Sequence, residues 1–354
     1  MGDKTLARRT AVKLYFKGTD ISKNLAKYLL SLSFTDKEED GTDDISISLD
    51  DRDGEWIKDW LNTQKGGAKE KRAFKGTEIH ALVIQKNPYS DGKDKVLDCG
   101  VFEIDSVDYE GPPQKLTIKA TSISYKSKLR QTKYNKTWEN TTLKNIAQKI
   151  AKRSGMKITY LSSCNPAYKR REQRNMTDIA FLKRLCKRAG ISLKITSKTI
   201  VLFDAADFEK KQEVKKIKAG KGNIISYHFS TKTADASYSS CHVVYTDPET
   251  KKKIEATYKP ANANSDGQTL EIKQKVTSVA EAKELARKLL RARNKKETTA
   301  EFTLVGDVDY VAGITVRVYG FGEFNGRYIV EQATHNITGG YKVQIKLRSC
   351  LEGY

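Results

Sequence analysis

The chain has 354 residues, a formal net charge of +21, 31% charged and 38% hydrophobic residues. That length allows about two to four domains, each with a proper core. No stretch approaches the roughly 20 apolar residues of a membrane span, so no membrane anchor is expected. Met1 to Thr10 is charged and leads into no apolar run, which argues against a signal peptide. The cysteines are Cys99, Cys164, Cys186, Cys241 and Cys350. Their odd number and the lack of a CxxC pair argue against a disulfide framework and a zinc site, and fit a reducing compartment. The charge admits nucleic acid, an acidic membrane surface or an acidic protein as partner. Basic residues run along the whole chain, which favours a lysine-rich structural surface or an acidic protein.

In chain order, Ala11 to Phe16 reads as a strand and Gly18-Thr19-Asp20 as a turn. Asn24 to Leu30 is a connecting segment. Leu32 to Thr35 is a second strand. Ile45, Ile47 and Leu49 alternate with serines, the mark of a half-buried strand. Asp50, Asp51 and Asp53 precede Trp56, Ile57, Trp60 and Leu61. Calcium is one reading of that acidic triple, but the EF-hand spacing is missing, so a loop and helix N-cap is expected. Lys65 to Lys75 is a basic loop. Strands resume at Glu78 to Gln85, Val96 to Ile104, Ser106 to Glu110 and Lys115 to Thr121, with a Gly111-Pro112-Pro113 corner. Short strands at close spacing imply an antiparallel barrel or sandwich. This first β-domain is expected over 1–129.

The stretch 130–206 reads as a small α/β module in which one phrase occurs twice. Leu143, Ile146, Ala147, Ile150 and Ala151 share one helix face, with Thr141 or Thr142 as cap and Gly155 as stop. A strand follows at Met156 to Leu161. Thr177 then caps a helix carrying Ile179, Phe181, Leu182, Leu185 and Ala189, and Gly190 stops it. Ile191 to Ile195 and Thr199 to Phe203 form a hairpin. Lys152-Arg153 and Lys187-Arg188 face the negative ends of the two helix dipoles.

Residues 207–222, rich in lysine and glutamate, read as a solvated linker with a first strand at its end. The last β-domain is expected over 223–354. Its strands are Ile224 to Thr231, Cys241 to Thr246, Lys253 to Tyr258, Glu301 to Val305, Gly313 to Val318, Arg327 to Thr334 and Tyr341 to Leu347. Ala261 to Gly267 is loop-like. One helix, 278–295, opens on the Ser278/Glu281 capping box and has Ala282, Leu285, Ala286, Leu289 and Leu290 as its apolar face. Gly320-Phe321-Gly322 is a turn, and Asn325-Gly326 is read as a tight hairpin with positive φ.

Catalytic signatures are missing. His80, His228, His242 and His335 belong to no HExxH or metal-ligand cluster, and neither a G-x-S-x-G elbow nor a Walker loop is present. Lys169-Arg170-Arg171 with Arg174 reads as a loop before the second helix, and Lys183-Arg184 with Lys187-Arg188 as that helix's solvated face. Without aromatic interleaving or an RNP or helix-turn-helix pattern, nucleic acid is the weaker reading.

Four stretches together resemble the phage late control D proteins, hubs of contractile tails. They are Cys99-Gly100-Val101-Phe102-Glu103-Ile104-Asp105-Ser106-Val107 with Pro112-Pro113; Trp138-Glu139-Asn140-Thr141-Thr142-Leu143; Met176 to Leu185 ending at Ala189-Gly190; and Ala312-Gly313-Ile314-Thr315-Val316 with Phe324 to Val330, Thr334-His335 and Gly340-Tyr341. The resemblance covers residues 10 to 350. It implies a mainly β, α+β chain with two similar antiparallel β-barrel tube domains flanking a small, LysM-like α/β insertion. It also implies a homotrimer that adapts a six-fold tail tube to a three-fold central spike, with tube or tube-initiator, spike, baseplate wedge and tape measure proteins as partners. Assembly in the bacterial cytoplasm, and then a place in the phage tail or a tailocin, follow from the same resemblance. No enzyme activity, cofactor or metal is expected. The structural signature comprises Trp138, Gly155, Gly190, Gly313, Gly322, Gly326, Tyr328 and His335. The alternative reading is a binding module for an acidic polymer, either cell-wall glycan or nucleic acid.

Overall fold

The computed structural model describes residues 8–354 apart from 22–26, 40, 55, 57–76, 124–127, 197, 233–236, 249, 262, 264–266 and 352. The readings placed on Ile57, Trp60, Leu61 and Lys65 to Lys75 lie outside the described residues, as do parts of those on Asn24 to Leu30 and Ala261 to Gly267.

The first region is all β: β1 (Arg9–Phe16), β2 (Thr19–Asp20), β3 (Leu29–Lys37), β4 (Asp44–Asp50), β5 (Glu78–Lys86), β6 (Lys95–Glu110) and β7 (Lys115–Thr121). Alternation drives it. Leu32 and Phe34 of β3, Ile45, Ile47 and Leu49 of β4, and Ile118 of β7 point to one side and are buried. Each such side chain contributes about 1.5–3 kcal/mol by leaving water. The two strands expected over 96–110 are one, β6, with its register shifted between Ile104 and Ser106. The extra residue lets the strand bend without ending. Asp51 accepts a hydrogen bond from the Trp56 amide at 2.8 Å, as a cap would.

The middle region repeats one unit. It runs α1 (Lys128–Gln131), β8 (Lys133–Thr142), α2 (Leu143–Arg153), β9 (Lys157–Tyr160), β10 (Ala167–Thr177), α3 (Asp178–Ala189), β11 (Ser192–Ile195) and β12 (Thr199–Phe203). Each copy of the repeated phrase is therefore strand, helix, glycine, strand. Thr142 Oγ1 accepts from the Asn145 amide and Thr177 Oγ1 from the Ala180 amide, and Gly155 and Gly190 adopt φ of +67° and +62°. β8 and β10 pair antiparallel, while β12 pairs with β11 antiparallel and β9 parallel. Lys169 to Arg174 therefore lie in a strand and not in a loop. Their charges hid the pattern, because this two-stranded ribbon covers its core with only Tyr168 and Gln173 of β10 buried.

The last region holds α4 (Ala205–Glu209), β13 (Lys215–Lys218), β14 (Ile224–Thr231), β15 (Tyr238–Thr246), β16 (Lys253–Tyr258), β17 (Gln268–Lys273), α5 (Val279–Asn294), β18 (Thr298–Val305), β19 (Thr315–Tyr319), β20 (Gly326–Ile337) and β21 (Tyr341–Ser349). The solvated linker expected over 207–222 is instead folded in. Ile217 is fully buried where β13 pairs parallel with β19, and Glu209 is buried among arginines. The strands expected to share one barrel also divide. β15, β16 and β17 form their own sheet, and α5 packs on it through Ala282, Leu285, Ala286 and Leu290. Ser278 caps the helix by accepting from the Glu281 amide, as the capping box predicts, but Glu281 reaches back to the amide and hydroxyl of Thr277, one residue before the cap.

The two β-rich ends share one 13-stranded sheet, ordered β14-β18-β21-β20-β3-β4-β7-β6-β5-β1-β2, with β19 on β20 and β13 on β19. The seam is β20 on β3, where His335 opposes Phe34 and Thr334 opposes Thr35.

Candidate functional site

The strongest internal constraint is a charged junction where the β-sheet, the middle region and α5 meet. Arg348 of β21 is fully buried and pairs with Glu209 after α4's first turn, with Glu38 beyond β3 at 3.2 Å and with Glu331 of β20 at 3.4 Å. Glu209 also pairs with Arg291 of α5 and accepts from the Leu351 amide at 2.9 Å. Beside them Glu39 pairs with Lys295 and takes a hydrogen bond from Ser192 of β11. Lys194 of β11 pairs with Asp36 of β3 at 2.7 Å, and Asp36 accepts from the Ala312 amide at 2.8 Å. Lys288 of α5 pairs with Asp204 at 2.7 Å.

These charges are mutually held in place. Burial alone would lower the Arg348 pKa, but Glu38, Glu209 and Glu331 carry it above its ordinary value. Burial works against ionised Glu209, yet Arg348 and Arg291 keep its pKa below the usual carboxylate range. Glu38 goes the other way: burial outweighs Arg348 and pushes it up to about 7. Asp43, buried beside Lys194 and Asp36, is pushed up to about 6. Removing one partner of such a network strands a buried charge and costs about 3–5 kcal/mol.

Of these junction residues only Lys288 and Arg291 were named from the sequence, as cations closing their helix and not as buried partners, although two signals were present. Asp36 stands in the same inward phase as Leu32 and Phe34. Lys288 lies on the apolar side of α5, one turn beyond Leu285. Arg348 gave no signal, because alternation places it on the face opposite Val343, Ile345 and Leu347, and only tertiary cover buries it.

The signature residues are distributed and do not converge. Trp138 is buried on β8, stacked on Phe181 at 6.2 Å between ring centres, and its indole N–H donates to Gln173. Tyr328 donates to the Phe324 carbonyl at 2.9 Å. His335, at the seam, is fully buried: Nε2–H donates to the Tyr310 carbonyl at 2.8 Å and Nδ1 accepts from Tyr341 at 2.7 Å. Burial lowers its pKa to about 4. The loop before β20 differs from expectation. Asn325 is extended and its side chain accepts from the Phe321 amide, so Gly326 begins the strand opposite Val318. Gly326 keeps a positive φ, +158°, but the left-handed angles of the reversal fall on Gly320 at +86° and Gly322 at +62°, because a six-residue connection with a 3₁₀ turn places the reversal earlier. Gly313 also has positive φ, +84°.

Three edges of the long sheet are open among the described residues: β14 and β1–β2 at the ends of its main path, and β13 at the end of the branch through β19. On β14, Ile225 and Tyr227 are 49% and 58% exposed, and Tyr227 and Phe229 pack against Phe321 and Phe324.

A sheet-rich chain with open edges and a locked interior matches a known family model, "Phage tail baseplate hub (GPD)", over residues 126–341. The chain belongs to the phage tail baseplate hub family. Among curated relatives, the probable baseplate hub protein of Escherichia phage 186 is 24% identical over 196 residues, 55% of this chain and 45% of that protein. That of Escherichia phage P2 is 27% identical over 186 residues, 51% of this chain and 42% of that protein. The matched part is thus under half of each of those hubs. A prophage MuSo2 43 kDa tail protein from Shewanella oneidensis has a similar fold, with a TM-score of 0.67 at 15% identity over 97% of this chain and 99% of that one. The family match includes both copies of the repeated unit and the seam strand, so the hub-family part of the chain contains Trp138, Gly190 and His335.

Proposed function

We propose that this hub protein is the symmetry adaptor of a contractile tail: three copies form a ring between the six-fold tube and the three-fold central spike. Membership of the hub family is the observation that carries the reading. A closed interface repeats with its own symmetry, so six-fold and three-fold parts need an intermediary with two similar faces per chain. The β-rich ends of this chain suit that task. Each contributes antiparallel strands, and one shared sheet with a charged junction behind it fixes their relative pose. The domain division 1–129, 130–206 and 223–354 is part of this proposal, as are tube, spike, wedge and tape measure proteins as partners. The role is mechanical, without catalysis or cofactor, and its place is the assembled particle.

Cryo-EM of the intact particle tests it. The expected map shows three copies per tail, with the first and last β-regions superposable and alternating around the ring. Any other stoichiometry, or two unrelated folds in those positions, overturns it.

A further inference from the structure

The basic residues run through the whole chain, but the acids do not. Between Ile123 and Phe203 there are twenty lysines and arginines and three acids, Glu139, Glu172 and Asp178. This middle stretch therefore carries a net +17 of the chain's +21. Glu139 stands directly across the ribbon from Arg170, on the face away from Arg171. Asp178 is fully buried against Arg153, and Glu172 is shared by Arg170 and Arg174 on one side of β10.

On the other side of β10, Arg171 sits over α3, where Arg184 and Arg188 lie one turn apart. Among the described residues no carboxylate reaches any of the three. Arg184 donates to the Glu172 carbonyl at 2.8 Å and Arg171 to the Arg170 carbonyl at 3.2 Å, but the buried Nε of each has no acceptor. Burial, and then Arg188 and Arg171, push the Arg184 pKa below its ordinary value, so these cations are close enough to oppose one another. Aromatic rings back them: Arg171 lies 4.5 Å from the centre of Tyr168, and Arg184 lies 5.4 Å from that of Phe181. Like charges gathered without counter-charge cost stability, and aromatic support fixes guanidinium planes while leaving their donor edges free.

We propose that Arg171, Arg184 and Arg188 form a docking site for a carboxylate-rich segment of another tail protein. Arginine forks match planar carboxylates bidentately through their terminal nitrogens, and a carboxylate-rich partner supplies the missing counter-charge. An acidic protein is favoured over nucleic acid because the rings of the site, Tyr168 and Phe181, are 8% and 0% exposed. They are occupied beneath the arginines and offer no face on which a base could stack. The proposal rests on the hub reading only for where the partner comes from.

The test uses the full-length chain and fluorescein-labelled poly-L-glutamate, titrated by fluorescence anisotropy at low and high salt. Arg184→Gln/Arg188→Gln is expected to raise Kd at least about tenfold, the loss of two charge-assisted hydrogen-bonded contacts. Lys157→Gln/Lys198→Gln, which removes the same charge from an exposed part of the module, should change it less than about twofold. Arg184→Lys/Arg188→Lys, which keeps the charge and perturbs folding least, should still weaken binding several-fold, because lysine cannot present a fork. Equal losses in the two glutamine variants, or full binding by the lysine variant, overturn the site. Tighter binding of a duplex DNA of equal charge, lost in the same variants, assigns it to nucleic acid and overturns the protein partner. Three copies per tail with no poly-L-glutamate binding would sink this inference alone.

Discussion

Gly155 and Gly190 end the two helices of the middle module with nearly the same left-handed angle, yet their surroundings differ. A Cβ on Gly155 meets nothing within 4 Å, whereas one on Gly190 meets the Lys288 Cβ at 2.6 Å and its carbonyl carbon at 3.2 Å. Gly155→Ala should cost only the left-handed penalty, about 1–2 kcal/mol. Gly190→Ala adds a clash with the backbone of α5, and should cost about 1–3 kcal/mol more. Denaturant unfolding of the two variants measures this difference, and equal costs would show that α5 yields freely. From sequence the two glycines are equivalent, since each follows a Lys-Arg-X helix end. The second helix's contact with α5, nearly a hundred residues later, has no local signature.

At the scale of elements, β3, β21, α4 and α5 are fastened by charges that titrate. Glu38, raised by burial to about 7 from an ordinary 4.5, binds a proton more readily in the folded chain. Its contribution is therefore fully present below pH 4.5 and is lost as the pH rises through 7. His335, lowered to about 4, acts in the opposite sense: its contribution is present above pH 6.5 and is lost as the pH falls toward 4. Between pH 5 and 8 the two oppose each other in the native chain. Glu38→Gln removes one of them. Relative to the parent, the variant should gain stability on going from pH 5 to pH 8, by up to about 3 kcal/mol for a shift of this size. Urea melts at both pH values check it, and a pH-independent difference would mean that Glu38 remains charged throughout. Elements whose residues face one solvent and one core side were legible by their period, as with β4, β7, α2 and α3. α4 and β13 were missed because they are short and bury little: β13 exposes Lys216 and Lys218 and buries only Ile217, so too few apolar positions stand among the lysines and glutamates to show a period.

At the scale of the molecule, the β20–β3 seam and the ion network make the two β-rich ends unfold together. A single cooperative transition is expected. Arg348→Met, which takes the cation from Glu38 and leaves Glu209 with Arg291 alone, should lower stability by about 3–5 kcal/mol without loss of secondary structure at low denaturant. Circular dichroism and tryptophan emission followed together test this, and two separated transitions in the parent chain would contradict a shared sheet. The sequence by itself determined the β–α/β–β order, the caps and stops of the helices, and the likeness to tail hubs. Those features rest on neighbours within a few residues, where hydrogen-bond geometry and period leave a direct imprint. The tertiary structure alone decided that both ends share one sheet, that β15 to β17 separate from it with α5, and that Arg348 is buried. Each depends on which surface a segment is covered by, and pairing β3 with β20 joins residues some three hundred positions apart, a choice made by the packing of the whole chain.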